Sequence, residues 1–150
     1  MRISLIDVSG KAEYYKAYAR MYEDYVYDLQ KKDSRVEDFS LVEFYQFFHD
    51  KRFKHYMLTL VNMPMGFIII EEKAGGQHIC ETYIEPEYRS RGYGHRMLNK
   101  VFEKYPSGFW ELEILCKNPR ALNFWNSIFE GRDAELYLDD IGFVFKEVYK

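Results

Sequence analysis

The chain has 150 residues and a mass of 18.2 kDa, the size of one ordinary domain, and 47% hydrophobic with 30% charged residues is a globular composition that excludes wholesale disorder. Its 21 basic and 24 acidic side chains leave a net charge of −3 and a pI near 5.8, which argues against nucleic acid as the main partner. No apolar run reaches the roughly 18 residues of a membrane span. The N-terminus shows no signal-peptide pattern, and Cys80 and Cys116 match no zinc spacing, so the reading is a cytoplasmic protein without membrane or metal.

No repeat or linker divides the sequence, so residues 1–150 read as one domain. Arg2 to Asp7 is a short β-like run closed by Ser9-Gly10. Lys11 to Lys31 contains no Gly or Pro, and Tyr14, Tyr18, Tyr22 and Tyr25 recur at helical spacing. Ser40 and Glu43 form a capping box that starts a second helix over Leu41 to His49. Three β-like runs follow, Tyr56–Asn62, Gly66–Glu72 and Gln77–Ile84, with Met63-Pro64 separating the first two and Ala74-Gly75-Gly76 turning between the others.

Glu85 to Arg91 reads as a loop. From Gly92 a helical stripe of Met97, Leu98, Val101, Phe102 and Tyr105 follows, and Phe109–Cys116 alternates as a strand. Asn118 and Pro119 suit the N-cap and first position of a helix running to Phe129. Ala134–Leu138 and Gly142–Tyr149 close the chain as strands. The order β-α-α-β-β-β-α-β-α-β-β implies an α/β protein with a mixed sheet and helices on both faces.

The most informative segment is Tyr83-Ile84-Glu85-Pro86-Glu87-Tyr88-Arg89-Ser90-Arg91-Gly92-Tyr93-Gly94. A strand enters a loop with two arginines and two glycines, and a helix leaves it. A helix N-terminus presents unsatisfied N–H groups and a partial positive charge, which suits an anion. No Gly-Lys-Ser/Thr follows, so this is no Walker loop. Met97 occupies the third glycine position of a dinucleotide fingerprint.

Arg89-Ser90-Arg91-Gly92-Tyr93-Gly94 resembles the R/Q-x-x-G-x-G/A acyl-CoA motif of the GNAT superfamily of N-acetyltransferases. Asn118-Pro119-Arg120-Ala121-Leu122-Asn123-Phe124-Trp125 resembles that family's second motif, N-x-x-A-x-x-F-Y, and the element order matches as well. The resemblance implies the GNAT-like acyl-CoA N-acyltransferase fold and acetyl-CoA as co-substrate. It also implies that Arg89, Ser90, Arg91, Gly92, Tyr93 and Gly94, helped by His95 and Arg96, hold the pyrophosphate. Tyr83 and Ile84 would pair with the pantetheine arm where the fourth and fifth strands splay, and Asn118 would border the thioester while capping its helix.

Acetyl transfer to an amine needs a neutral nitrogen. An alkylammonium near pKa 10.4 is more than three units from neutral at pH 7, a cost of roughly 4–5 kcal/mol unless a base helps. Glu81 is the expected base, with His78 as second choice. Strand alternation puts Ile79, Glu81 and Tyr83 on one face and His78, Cys80, Thr82 and Ile84 on the other. Trp125 stands where the family usually keeps a tyrosine as acid for the thiolate, and indole cannot deliver that proton. Tyr83 or Tyr137, or water, would have to replace it.

The first helix carries Tyr14, Tyr15, Tyr18, Tyr22, Glu23, Asp24, Tyr25 and Asp28, which reads either as a core face or as a groove for a cationic amine. The expected reaction is acetylation of a primary amine on a small cationic molecule by direct attack in a ternary complex. Acetylation of a protein amine and a non-catalytic acyl-CoA sensor stay open as alternatives, as does a homodimer.

Overall fold

The structure, a computed structural model, describes residues 2–115, 119–130, 134–138 and 142–149. Asn118, Cys116 and the side chain of Tyr137 lie outside the described residues. The elements are β1 (Ile3–Asp7), α1 (Ala12–Lys32), α2 (Leu41–His49), β2 (Phe53–Leu60), β3 (Met63–Lys73), β4 (Gly76–Ile84), α3 (Tyr93–Lys104), β5 (Gly108–Leu115), α4 (Pro119–Phe129), β6 (Ala134–Leu138) and β7 (Gly142–Tyr149). A short 3₁₀ turn, Pro86–Tyr88, leads from β4 toward α3.

These strands form a seven-stranded sheet in the order β1-β2-β3-β4-β5-β7-β6. Every neighbouring pair is antiparallel except β4 and β5, which run parallel. A parallel pair needs a crossover, and α3 supplies it. On one face α3 and α4 bury Met97, Leu98, Val101, Trp125 and Ile128 against Ile68, Ile70, Ile79 and Trp110. On the other face α1 and α2 bury Tyr18, Met21, Phe44 and Phe48 against Met57, Phe67 and Ile69. The tyrosine stripe of α1 is therefore largely core: Tyr18 is fully buried, and Tyr14, Tyr15, Tyr22 and Tyr25 pack on the same cluster.

Ser40 caps α2 as its capping box requires, accepting from the Glu43 N–H at 3.3 Å. The β2–β3 hairpin differs from expectation. Val61 (φ 47°) and Asn62 (φ 66°) make its turn, both left-handed, as a two-residue hairpin needs. Met63 and Pro64 belong to β3 instead of separating the strands, and Pro64 pairs with Thr59 where the register shifts. A residue without an N–H donor is tolerated at such an irregularity. β2 also starts earlier than Tyr56, at Phe53, because Lys54 and His55 join the ladder to β3.

His55 is polar and fully buried. Its Nδ1 lies 2.6 Å from the Tyr18 hydroxyl, and its Nε2 lies 3.2 Å from the Phe47 carbonyl oxygen. A carbonyl can only accept, so the ring carries its proton on Nε2 and Tyr18 donates to Nδ1. Burial pushes this imidazole down to about 4.

Candidate active site

The site begins with a defect in β4. Ile69 of β3 pairs with Glu81, but the next residue, Ile70, pairs with Ile79, so Cys80 is an extra residue in the ladder. A bulge puts two residues opposite one and interrupts the alternation. Ile79 therefore joins the α3/α4 core, while Cys80 and Tyr83 pack toward α1 and α2. This corrects the expectation that Ile79 shares a face with Glu81 and Tyr83. His78 lies on the α1/α2 side, its Nδ1 3.0 Å from Glu111 Oε1, which also accepts from Lys73 Nζ at 2.8 Å.

Just past the bulge the sheet opens. β4 and β5 pair from Gly76↔Phe109 only as far as Ile79↔Leu112. Beyond that point the β5-facing edge of Cys80–Ile84 has no strand partner among the described residues. The gap forms part of a cleft of about 830 Å³, at the large end of the usual range for small-molecule sites. Its lining includes Glu81, Tyr83, Ile84, Arg89, Ser90, Gly92, Tyr93, Gly94 and His95, together with Arg120, Phe124 and Trp125 from α4.

Gly92 is the N-cap of α3 at φ 82°, a left-handed conformation that favours glycine, and, its chain neighbours aside, no described residue lies within 4 Å of where its Cβ would stand. A bulky anion can thus approach the helix N-terminus directly. Gly94 has a different reason for being glycine: a Cβ there would meet the Phe124 ring at 3.1 Å. It lets α3 approach α4. Arg91, Gly92, His95 and Arg96 are exposed at this end. The His95 ring lies 2.8 Å from Ser127 Oγ on α4, and Arg96 sits over the Tyr93 ring.

Arg89 is already engaged. Its Nε donates to the Ile84 carbonyl at 2.8 Å, its Nη2 reaches Asp28 at 3.2 Å, and its guanidinium stands over the Tyr83 ring. It ties the end of β4 to α1, a long-range role that the motif does not reveal. Asp28 also faces Lys32 at 3.8 Å, so its charge is compensated.

Glu81 is half-buried on the cleft wall and accepts a 3.0 Å hydrogen bond from the Tyr22 hydroxyl. Loss of hydration raises its pKa above the ordinary 4.5, while hydrogen bonding from Tyr22 and Tyr25 pulls it back down. Tyr83 is pushed up to about 12, chiefly by burial and then by Glu85. Burial likewise lifts the Cys80 thiol to about 12, which keeps it a poor nucleophile. Trp125 is buried, with its ring against Phe124 and stacked on Phe129. Among the described residues, no three His, Cys, Asp or Glu side chains gather to hold a metal ion, and no helix is long and apolar enough to cross a membrane.

The acetyltransferase (GNAT) family model matches residues 14–129, and the chain belongs to that family. It is an N-acetyltransferase, and its acyl donor is acetyl-CoA. The cleft suits that donor, with an open helix N-terminus at Gly92 and a β4 edge that no described strand pairs beyond the bulge. The fold is similar to that of the PaiA N-acetyltransferase of Thermoplasma acidophilum in complex with coenzyme A, at 14% identity and TM-score 0.69 over 99% of this chain and 100% of that one. It is also similar to a chimera of the Vibrio cholerae spermidine N-acetyltransferase SpeG and hSSAT, at 13% identity and TM-score 0.72 over 99% and 96%. The ribosomal-protein-S18-alanine N-acetyltransferase of Escherichia coli matches at 13% identity and TM-score 0.68 over 99% and 96%. Among proteins of curated function, none matches the sequence.

Proposed function

We propose that this acetyltransferase modifies a primary amine of a small cationic molecule, by direct attack in a ternary complex, with Glu81 as the base. The observation that carries this reading is the position of Glu81. It is a half-buried carboxylate with a raised pKa, one residue past the bulge where β4 and β5 part. When bound, acetyl-CoA would supply the acetyl group: its C–S bond would break as the C–N bond to the amine forms, and coenzyme A would leave as a thiolate that takes its proton from water. Glu81 takes the proton that the attacking nitrogen gives up, a task that a pKa moved toward neutrality favours.

The residues from Arg89 to Arg96 would hold the pyrophosphate at the N-terminus of α3, and the free edge at Tyr83 and Ile84 would pair with the pantetheine arm. Asn118 would border the thioester. Gly92 admits the phosphate, Arg91 adds charge from an exposed position, and Arg89 braces the loop through its bonds to Ile84 and Asp28.

A cationic acceptor is supported by the carboxylates near the end of β4. Glu85 has its pKa raised by burial and then by the negative charges of Asp24 and Glu87. A cleft mouth of that sign concentrates cations. The test is thiol release from acetyl-CoA with a panel of amines, run beside calorimetry with acetyl-CoA alone. Turnover on a cationic amine supports the proposal. Tight binding with no turnover on any amine would favour an acyl-CoA sensor.

A further inference from the structure

A second cavity, of about 340 Å³, lies on the other side of Glu81 between α1, the 33–40 connection and α2. Glu81, Tyr25 and Leu29 line both cavities, so Glu81 stands at the boundary between them. The second cavity is walled by the rings of Tyr22, Tyr25, Phe39, Phe44 and Phe47. These rings converge on Tyr22, whose centroid is 4.5 Å from Phe44, 5.5 Å from Tyr25 and 6.3 Å from both Phe39 and Phe47. The same Tyr22 donates to Glu81, so the aromatic wall and the carboxylate form one unit.

The two cavities differ in charge balance. The large cleft sets Lys32, Arg89 and Arg120 against Asp28, Glu81 and Glu113, so basic and acidic side chains are equal in number along its described lining. The small cavity has the carboxylates Glu37, Asp38, Glu43 and Glu81, and its described lining includes no basic side chain. None of Glu37, Asp38 and Glu43 makes an ion pair among the described residues. Aromatic faces ringed by unpaired carboxylates attract a cation through both the ring quadrupole and charge. The volume is near the small end of the range for ligand sites, which suits a slender aliphatic chain better than a wide polycyclic or sugar scaffold.

We infer that this aromatic cavity receives the non-reacting arm of the acceptor, and that the arm is a short aliphatic chain ending in a second amine, held as the ammonium at neutral pH. The acceptor is thus a linear diamine or a longer homologue, laid past Glu81 with its reacting nitrogen in the large cleft and its far nitrogen between Tyr22 and the Glu43 rim. This rests on the amine-acetylating role proposed above and specifies its substrate. A carboxylate or phosphate on that arm would meet four like charges and no counter-ion.

The test compares three amines of equal chain length: putrescine, aminobutanol and γ-aminobutyrate, with cationic, neutral and anionic tails. Thiol release from acetyl-CoA gives kcat/KM for each, and calorimetry without acetyl-CoA gives binding. We expect putrescine to exceed aminobutanol by roughly tenfold or more, about 1.4 kcal/mol, a gap within reach of one well-placed cation–π contact, and γ-aminobutyrate to be poorest. Glu43→Gln preserves the capping box of α2, so the fold survives, and it should narrow the putrescine-to-aminobutanol gap.

Equal acetylation of all three amines, or preference for the anionic tail, overturns the inference and leaves the amine-acetylating role intact. Putrescine that binds with its affinity reduced by Glu43→Gln, yet is never acetylated, supports the cavity assignment and overturns that role. Neither binding nor turnover with putrescine overturns the assignment.

Discussion

The Tyr22 hydroxyl and the Glu81 carboxylate meet at 3.0 Å across 59 residues of sequence, joining the middle of α1 to the bulge of β4. Burial and the nearby carboxylate raise the Tyr22 pKa far above its ordinary 10.0, so the phenol remains a donor throughout the working pH range. It stabilises the ionised form of Glu81 against desolvation. Tyr22→Phe removes that bond, so the Glu81 pKa should rise further and the acid limb of the rate–pH profile should move to higher pH. A profile that stays in place would separate the phenol from the base.

Glu81→Gln should lower turnover by about 10²-fold or more, with acetyl-CoA affinity unchanged. It should also stabilise the protein at neutral pH. A carboxylate with a raised folded pKa binds more protons folded than unfolded, so its contribution to stability falls as pH rises from the ordinary 4.5 through the folded value. An uncharged amide escapes that loss. Denaturation midpoints of the two proteins should therefore differ at pH 7 and converge below pH about 4. A variant that is both fully active and no more stable would remove Glu81 from the proposed role.

Gly92→Asp places a negative charge and a Cβ at a left-handed position facing open space. The strain costs roughly 1 kcal/mol, yet the charge should weaken acetyl-CoA binding by an order of magnitude or more. Calorimetry reads the second effect and a thermal scan the first. Gly94→Ala should show the opposite balance, because its Cβ would press on Phe124. Unchanged affinity in Gly92→Asp would place the pyrophosphate elsewhere.

Trp125→Tyr puts back the phenol that the family motif carries at this position. Because Trp125 is buried against Phe124 and Phe129, the smaller ring leaves a void, costing about 1–2 kcal/mol. We expect a lower Tm together with turnover per folded molecule at least equal to the parent. A fall in turnover at full folding would show that the indole itself serves the reaction.

The buried His55 should make the protein acid-sensitive. Its folded pKa of about 4 lies below its ordinary 6.5, so below pH 6.5 the unfolded chain takes up a proton that the folded chain refuses. Stability should fall by about 3 kcal/mol as pH drops from 6.5 to 4. His55→Gln should be less stable at pH 7 because it disturbs the bonds to Tyr18 and Phe47, but that extra acid loss should vanish. Urea midpoints measured against pH, with equal slopes for both proteins, would exclude His55 as the cause.

Local chemistry determined much of this protein directly. The Ser40–Glu43 capping box places α2, α4 begins at the expected Pro119, and the strand runs 134–138 and 142–149 coincide with β6 and β7. The Arg89–Gly94 motif is likewise contiguous and led to the family. Each of these signals acts within a few residues, through caps, turns and periodicity, so it survives without knowledge of distant partners. The long-range arrangement was decided elsewhere. The Cys80 bulge arises from pairing with β3, and it moves Ile79 to the face opposite Tyr83. The Val61–Asn62 turn displaced the expected break at Met63-Pro64, because the paired strands select a left-handed two-residue turn. Arg89 reads as a phosphate ligand in its motif, yet it bonds Asp28 from 61 residues away. Glu81 meets Tyr22, and the aromatic cavity forms, only when α1 and α2 close over the sheet. Contacts between residues so far apart in the chain leave no local periodicity, and their geometry exists only once the core has packed.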